Sequence, residues 1–448
     1  MDNMIINRFA SLGIHIPEIL LPTDKIDMAK WSVVACDQFT SELCYWNEVE
    51  SIVGDNPSTY RLIYPEIFLE EENPENRIKA INDKMKEYLE SHILNSHGPC
   101  FIYLERETSC TNLRKGLILA VDLEKYDYHK GSKSLIRATE GTVLERIPPR
   151  VKIRENASIE LPHIMLLIDD DKKTVIEPLA AKKEYLDKIY DFDLMLNGGH
   201  IRGYRISDDE IIISILQAFE QLACSKGDDD ILLFAVGDGN HSLASAKAHW
   251  ENIKPSLSKS EITCHPARFA LVEVCNVHDD GIVFEPIHRV VFGIDYSVLK
   301  TYMQEYFENL SDGSKLEIIE YTDKSSMEEN LKSMKSSLDA HVIPFVTSGT
   351  YGAIVVKNPV HNLEVGTLQS FLDSLMSRHV GIKVDYIHGE DVVMRLGRME
   401  NNIGFFLPSM NKHDLFKTVK MEGALPRKTF SMGEANEKRY YLECRKIR

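Results

Sequence analysis

The sequence predicts a mixed α/β (α+β) fold, on three observations. Short apolar runs bounded by turn residues recur from residue 100 onward. Stretches with helical periodicity lie between them. At 231–251 a buried-strand pattern runs through two glycines directly into an alanine-rich helix.

Taken in order, residues 76–95 place Ile78, Ile81, Met85, Leu89 and Ile93 at spacings of three or four, which predicts an amphipathic helix. Gly98-Pro99 ends it, and CFIYLER follows as a strand. RKGLILAVDLEKY reads as a second strand. LPHIMLLIDDDKKTVIEPL reads as a hairpin with Asp169 to Lys173 as its turn. Ser207, two aspartates and a glutamate open a helix over 207–224, closed by Gly227 and three aspartates. Ile231 to Val236 form a strand, Gly237 and Gly239 break it, and Ser242 to Glu251 continue as a helix whose alanines permit close packing. RFALVEVCNV is another strand, followed by the polar turn His278 to Gly281 and by IVFEPIHRVVFG. Beyond about residue 295 come helices at 296–310 and 326–338, strands near 341–347 and 351–357 and a helix at 366–379. A turn at 385–391, another helix, and GFFLP and YYLECRKI as strands complete the chain. The polar, helix-rich composition after 295 suggests two regions, 1–295 and 296–448.

The 448 residues carry 52 Lys+Arg against 69 Asp+Glu, a net charge of −17, with 43% hydrophobic residues. That hydrophobic content supports sizeable cores and excludes general disorder. The acidic balance argues against nucleic-acid binding and against an anionic membrane surface, since both need cations. No apolar stretch approaches the about 18 residues of a membrane helix. The N-terminus, MDNMIINRFASLGIHIPEILLP, does not fit a secretory signal, so a cytoplasmic chain is expected. Eight cysteines, Cys36, Cys44, Cys100, Cys110, Cys224, Cys264, Cys275 and Cys444, form no C-x-x-C pair and are expected as free thiols.

The sharpest local feature is Gly237-Asp238-Gly239-Asn240-His241-Ser242. A glycine turn leading into a helix presents backbone N–H groups and the positive end of the helix dipole, which suits an anion. The dipole alone contributes only ~0.3–1 kcal/mol when exposed, so further donors are needed. Asn240, His241 and Ser242 can donate. Asp238 cannot, and suits metal binding, proton abstraction or fixing of the turn. The competing reading is a plain structural turn, with Asp238 bonding local amides. The run is half a dinucleotide fingerprint, because Ser242 stands where a third glycine belongs.

With its flanking strand and helix, DGNHS resembles the DGHHR-type turn of the domain of unknown function 1015 family. CDQF at 36–39 with NPSTYRLIYPE at 56–66, GLILAVDLEKY, EPIHRVV at 285–291 and LPRKTFSMG at 425–433 resemble further segments of that family, in order. The likeness spans nearly the whole chain. The family has no settled reaction. Its turn is similar to the phosphate-binding turn of the ParB/sulfiredoxin superfamily, which includes nucleotide-hydrolysing partition proteins, ATP-using sulfinic-acid reductases and free-serine kinases. The resemblance therefore implies a ParB/sulfiredoxin-like strand–turn–helix core, and a small phosphorylated metabolite or nucleotide (ATP or ADP) as ligand, with Mg2+. Neighbouring serine-biosynthesis genes in the family point to hydroxy or amino acids. This chain departs twice from the motif: Asn240 replaces the first histidine and Ser242 the arginine, which removes a bidentate phosphate clamp.

Replacement cations are readable in residues 137–154, which hold Arg137, Arg146, Arg150, Lys152 and Arg154. A phosphorylated substrate would explain them; so would a solvated loop. Thr139 and Glu140, in the same stretch, offer a hydroxyl and a carboxylate for base or Mg2+ duty. Asn197 to Gly203, with His200 and Arg202, reads as a lid, a clamp or a flexible loop. His288 and Arg289 are a structural pair or a second phosphate site. Asp37, on its family match, is a candidate metal ligand, and Lys428 a weaker candidate.

The expectation is an enzyme of phosphate-ester metabolism. Asp238, His241 and Glu140 would be catalytic. Gly239, Asn240, Ser242, Arg137, Thr139, Arg150, His288 and Arg289 would bind phosphate or substrate. The rival is a non-catalytic sensor of nucleotide or phosphometabolite, which Ser242 favours. A ParB-like DNA-associated protein is a third reading, disfavoured by charge.

Overall fold

The structure is a computed structural model. It describes every residue except 1, 70, 110, 112, 143, 228–229, 335–339 and 380. Cys110, Val143, Asp228, Asp229 and the end of the helix expected at 326–338 therefore lie outside the described residues. The chain forms two compact units. The first comprises Met1–Val283, Val419–Ala424 and Met432–Arg448; the second comprises Phe284–Thr418 and Leu425–Ser431. The mixed α/β class is as the apolar patterning implies.

The first unit is built on a mixed sheet. In chain order its strands are β1 (Ile14–His15), β2 (Phe101–Glu107), β3 (Arg114–Asp122), β4 (Tyr126–Asp127), β5 (Ile136–Arg137) and β6 (Met165–Ile168), then β7 (Asp187–Leu194), β8 (Gly199–Ile206), β9 (Phe234–Asp238) and β10 (Phe269–Asn276). The spatial order is β7-β8-β2-β3-β10-β6-β9-β5-β4, with β1 paired to β3. The central strands are apolar on both sides: Leu117 to Val121 and Ala270 to Val274 are all buried, as a sheet covered on both faces requires. On one face lie the helices α1 (Asn3–Ser11) and α4 (Asp209–Ser225), through Phe9, Ile212, Ile215, Leu216 and Phe219. The other face packs on Trp46, Val49, Val53, Tyr440 and Tyr441. Between α1 and α4 in sequence come α2 (Pro74–Glu90) and α3 (Ile147–Glu155). After β9 comes α5 (Asn240–Ile253), whose Ala244 and Ala248 pack with Ile147 and Val151 of α3. The small side chains do allow that close approach.

Several local readings change. The segment after β6 is no hairpin: Asp170 accepts the amides of Thr174 and Val175 at 2.6 and 2.8 Å, and the chain enters a helix at Glu177–Lys182. A carboxylate that captures successive amides competes with a strand ladder. The run Asn197 to Gly203 is a turn and strand rather than a lid: β8 pairs with β7 and β2. His200 lies 2.7 Å from Asp191, and Arg202 2.7 Å from Glu107. The cap of α4 is Asp208, not Ser207.

The first unit also buries charge. Glu273, on β10, lies 3.3 Å from Arg114 and 3.1 Å from Arg439, and Arg439 also pairs with Glu443. All four are buried. Arg106 donates to the carbonyls of Gly198, Lys438 and Asn436 at 2.8, 2.5 and 2.7 Å. Tyr440 and Tyr441 pair with Val34 and Val33, and Arg445 and Lys446 with Glu160 and Ile159.

The second unit is an antiparallel sheet of β11 (His288–Phe292), β12 (Lys315–Tyr321), β13 (Ala340–Val346), β14 (Tyr351–Lys357), β15 (Lys383–Ile387) and β16 (Asn402–Phe405), ordered β12-β14-β13-β16-β11-β15. Helices α6 (Tyr296–Glu308) and α7 (Glu364–Arg378) pack on it through Leu299, Met303, Leu368, Phe371 and Leu372. β15 occupies part of the expected turn at 385–391, paired to β11. Among the described residues no helix is long and apolar enough to cross a membrane.

Removing one partner from a buried ion pair strands the other charge, at a cost of about 3–5 kcal/mol. Arg439→Met is expected to lower the stability of the first unit by that amount. Urea unfolding reports it directly, because Trp31, Trp46 and Trp250 are all buried in this unit.

Candidate functional site

The β9–α5 turn is where the candidate residues gather. Gly239 caps α5 in the left-handed region, φ 81°, and is buried. A Cβ there would stand 3.1 Å from Ile164 Cα, so both the conformation and the space call for glycine. Asp238 Oδ1 accepts the Gly239 N–H at 2.9 Å, and its Oδ2 lies 3.1 Å from Lys438 Nζ. Asp238 thus fixes the turn and carries its own counterion. Asn240 Oδ1 accepts the Thr139 N–H at 3.2 Å, and Thr139 Oγ1 donates to the Val236 carbonyl at 2.5 Å. Glu140 follows Thr139 and is half-buried. His241 is half-buried, and its carbonyl accepts from Ser245 at 2.7 Å.

Ser242, in the first turn of α5, lies with its Oγ 2.5 Å from His163 Nε2; His163 Nδ1 is 2.9 Å from the Tyr441 hydroxyl. These three side chains line a cavity of about 150 Å³ together with Cys36, Glu66 and Arg150. Its remaining wall is largely aliphatic, including Leu62, Met85 and Ile153. Burial, with the nearby charges of Asp37 and Glu66, pushes the Cys36 thiol up to about 12, so it stays protonated.

The arginines are already partnered. Arg137 pairs with Asp230 and donates to the Ser134 carbonyl at 2.8 Å. Arg150 pairs with Glu66 and donates to the Arg146 carbonyl at 2.7 Å. Of these two, Arg150 reaches the cavity that Ser242 lines. Asp37 accepts from Gln38 Nε2 at 2.9 Å.

His288 and Arg289 belong to the second unit. His288 is buried, and its Nδ1 accepts the Leu407 N–H at 3.0 Å. Burial, then Arg289 and His388, lower its pKa from 6.5 to about 4, so it is neutral. Arg289 is fully buried. It donates to Gln369 at 3.1 Å and to the carbonyls of Ile287, Arg427 and Lys428 at 2.6, 3.2 and 3.0 Å, and lies over the Tyr386 ring. In this unit Lys428 contributes its carbonyl.

His163, Tyr441, Lys438 and Glu66 escaped the sequence reading. Tyr441 and Lys438 sit some two hundred residues after the turn, and no motif spacing joins them to it. His163 lies inside the segment read as a hairpin. Among the described residues no three His, Cys, Asp or Glu side chains group as a metal site.

The chain belongs to the family of proteins of unknown function called DUF1015, matched over residues 20–375. No curated protein matches it. Among solved structures it is similar to a conserved hypothetical protein from Pyrococcus furiosus, with 13% identity, 72% of this chain and 90% of that one covered, and a TM-score of 0.35. It is similar to a free serine kinase in complex with AMP, at 13% identity, 74% and 92% coverage and TM-score 0.39. It is also similar to SbnI with C-terminal truncation from Staphylococcus aureus, at 10% identity, 70% and 82% coverage and TM-score 0.35. Identities this low carry no activity across.

Two outcomes follow from this geometry. Gly239→Ala forces an L-residue into the left-handed region against Ile164. It is expected to cost about 1–2 kcal/mol, read as a lowered urea midpoint. In the second unit, His288 takes up its proton more readily when unfolded. Its stabilising contribution is complete above pH 6.5 and is lost as the pH falls toward 4. The full effect is on the order of 3 kcal/mol. Hydrogen-exchange protection of peptides from β11 should fall over that window, and His288→Gln should flatten the dependence.

Proposed function

We propose that the chain is an enzyme of small-molecule phosphate-ester metabolism, which transfers or hydrolyses a phosphoryl group at the start of α5. The observation that supports this most is the position of Ser242: it lies in the helix's first turn and lines the same cavity as Arg150. The helix start favours negative charge, and a guanidinium can meet a phosphate with two parallel hydrogen bonds. The phosphate would draw Arg150 from Glu66. Lys438 offsets the charge of Asp238, so that carboxylate does not repel an incoming anion. Phosphoryl transfer depends chiefly on positioning and charge neutralisation, which these groups provide.

In this reading Asn240 and Thr139 shape the turn, His241 and Ser242 donate to the phosphate, and Glu140 or Asp238 serves as base. The similarity of the turn to the ParB/sulfiredoxin type supports the reading and suggests ATP or ADP as phosphoryl donor or acceptor. A dedicated protein-only metal site does not fit the described residues. Mg2+ would come with the nucleotide phosphates and need only one or two carboxylates, for which Asp37, Glu140 and Asp238 are the candidates. The acidic charge supports a small-molecule ligand rather than nucleic acid, and the reading places the protein in the cytoplasm.

The ion pairs Arg137–Asp230 and Arg150–Glu66 favour a second reading, a sensor that binds the same ligands without converting them. The purified protein, given phosphoserine, or serine with ATP or ADP, each with Mg2+, is expected to release phosphate or form phosphoserine. Arg150→Leu is expected to raise KM about tenfold or more, the worth of a charged hydrogen bond. A raised melting temperature with no product formed would decide for the sensor.

A further inference from the structure

Two hydroxyls hold the His163 ring, one at each nitrogen. The Cys36 N–H donates to the Tyr441 hydroxyl oxygen at 3.2 Å. The same oxygen lies 2.9 Å from His163 Nδ1, and in the tautomer with its proton on Nδ1 the imidazole donates to it. His163 Nε2 is then the bare nitrogen. It faces the Ser242 hydroxyl at 2.5 Å, inside a cavity that Arg150 also lines. Burial keeps both Tyr441 and Cys36 protonated, so neither can strip His163 of its Nδ1 proton.

From this juxtaposition we infer that Ser242 is a covalent nucleophile, His163 its general base and Tyr441 a positioning residue that holds the imidazole in its basic tautomer. The inference rests on the phosphate-ester reading and deepens it: Ser242 attacks the phosphate instead of donating to it, and His163 takes the base's place from Glu140 and Asp238. Ser242 Oγ attacks phosphorus as its proton passes to His163 Nε2. The new Oγ–P bond forms while the P–O bond to the leaving alcohol breaks, and His163 returns the proton to that oxygen. Water then attacks the phosphoserine, giving its proton to His163. Inorganic phosphate departs and Ser242 recovers its hydroxyl proton. No atom changes oxidation state. The start of α5 stabilises the charge at Oγ.

The cavity also narrows the substrate class. A space of about 150 Å³ holds roughly one benzene ring. Its aliphatic walls at Leu62, Met85 and Ile153 suit a phosphate monoester whose alcohol carries a compact apolar group better than one of a bare hydroxy acid. Tyr441 is neutral, so it orients His163 without stabilising an imidazolium as a carboxylate would.

Phenyl phosphate is the probe. Full-length protein is mixed with it, quenched in acid and digested. A phosphoryl group on the peptide holding Ser242 is expected, with phenyl phosphate turned over in preference to phosphoserine. Ser242→Ala should lose the adduct and slow turnover about a hundredfold or more, and His163→Gln should do likewise. Tyr441→Phe should lower kcat several-fold with KM unchanged and move the acidic limb of the pH profile, which a purely structural role would leave in place. Turnover that persists in Ser242→Ala, with no adduct in the wild type, overturns the inference and leaves the proposed function standing. A wild type that converts neither phenyl phosphate nor phosphoserine, nor serine with ATP, overturns both.

Discussion

The first unit depends on a buried carboxylate. Glu273 lies in the middle of β10 with no exposed surface. Such a charge persists only with counterions. Arg114, on the neighbouring β3, supplies one, and Arg439 supplies the other from the far end of the chain. Gly116, beside Arg114 on β3, yields the space: a Cβ there would stand 2.6 Å from the glutamate oxygen. Apolar residues of the same volume could stabilise the unit equally well. What the ion pairs add is a register. Arg439 satisfies Glu273 in one docking of the C-terminal segment, and a slip of one residue would leave buried charges unpaired. Backbone contacts hold the same register, through Trp31 to the Leu442 carbonyl at 3.0 Å and Ser32 to the Tyr441 carbonyl at 2.9 Å.

That register is what completes the site. Lys438, immediately before Arg439, meets Asp238 at the end of β9. Tyr441, two residues after it, meets His163. The turn therefore draws its charge balance, and His163 its hydroxyl partner, from a segment that the buried ion pairs anchor. Among the described residues, Lys438 at the turn and Arg150 and Arg154 in the cavity wall each have a carboxylate partner, so their charges are offset. In the proposed function a ligand would bind by exchange, an anion replacing Glu66 on Arg150. The net cost of ordering is then small, because the guanidinium is already held in the cavity wall.

Much of this fold was legible where one physical rule acts locally. The 3.6-residue period placed the start of α2 within two residues but carried it to 95, where the helix ends at Glu90 and 94–99 is a strand; the acidic first turn placed α4 within two residues at each end. The β9–turn–α5 unit was legible for the same reason: two glycines and an alanine-rich run have few other uses. The glycines of Asn197 to Gly203 misled by suggesting mobility, where Gly199–Ile206 is a strand. Gly203 instead lies under the Tyr190 ring, with no room for a side chain. At Asp170 a side chain outcompeted the ladder. Partners joined only through the fold stayed out of reach. Nothing local in YYLEC says that Tyr441 meets a histidine, and nothing in IPPR says that Arg150 is held by Glu66.

Position 242, a serine where the resembled DGHHR-type turn has arginine, is the point at which chemistry and packing meet. His163 Nε2 stands 2.5 Å from the Ser242 Oγ, its hydrogen-bond partner among the described residues. A guanidinium there has donors only, and would bring a fixed positive charge against the imidazole, opposing its protonation. A hydroxyl can both give and receive a proton. Serine at 242 therefore withdraws a charge from the turn and places a proton-exchanging group against His163. The charge is not lost from the cavity, because Arg150 enters its wall from α3. In the proposed function, anion binding and proton handling, which one arginine cannot combine, are divided between Arg150 and Ser242 on two packed helices.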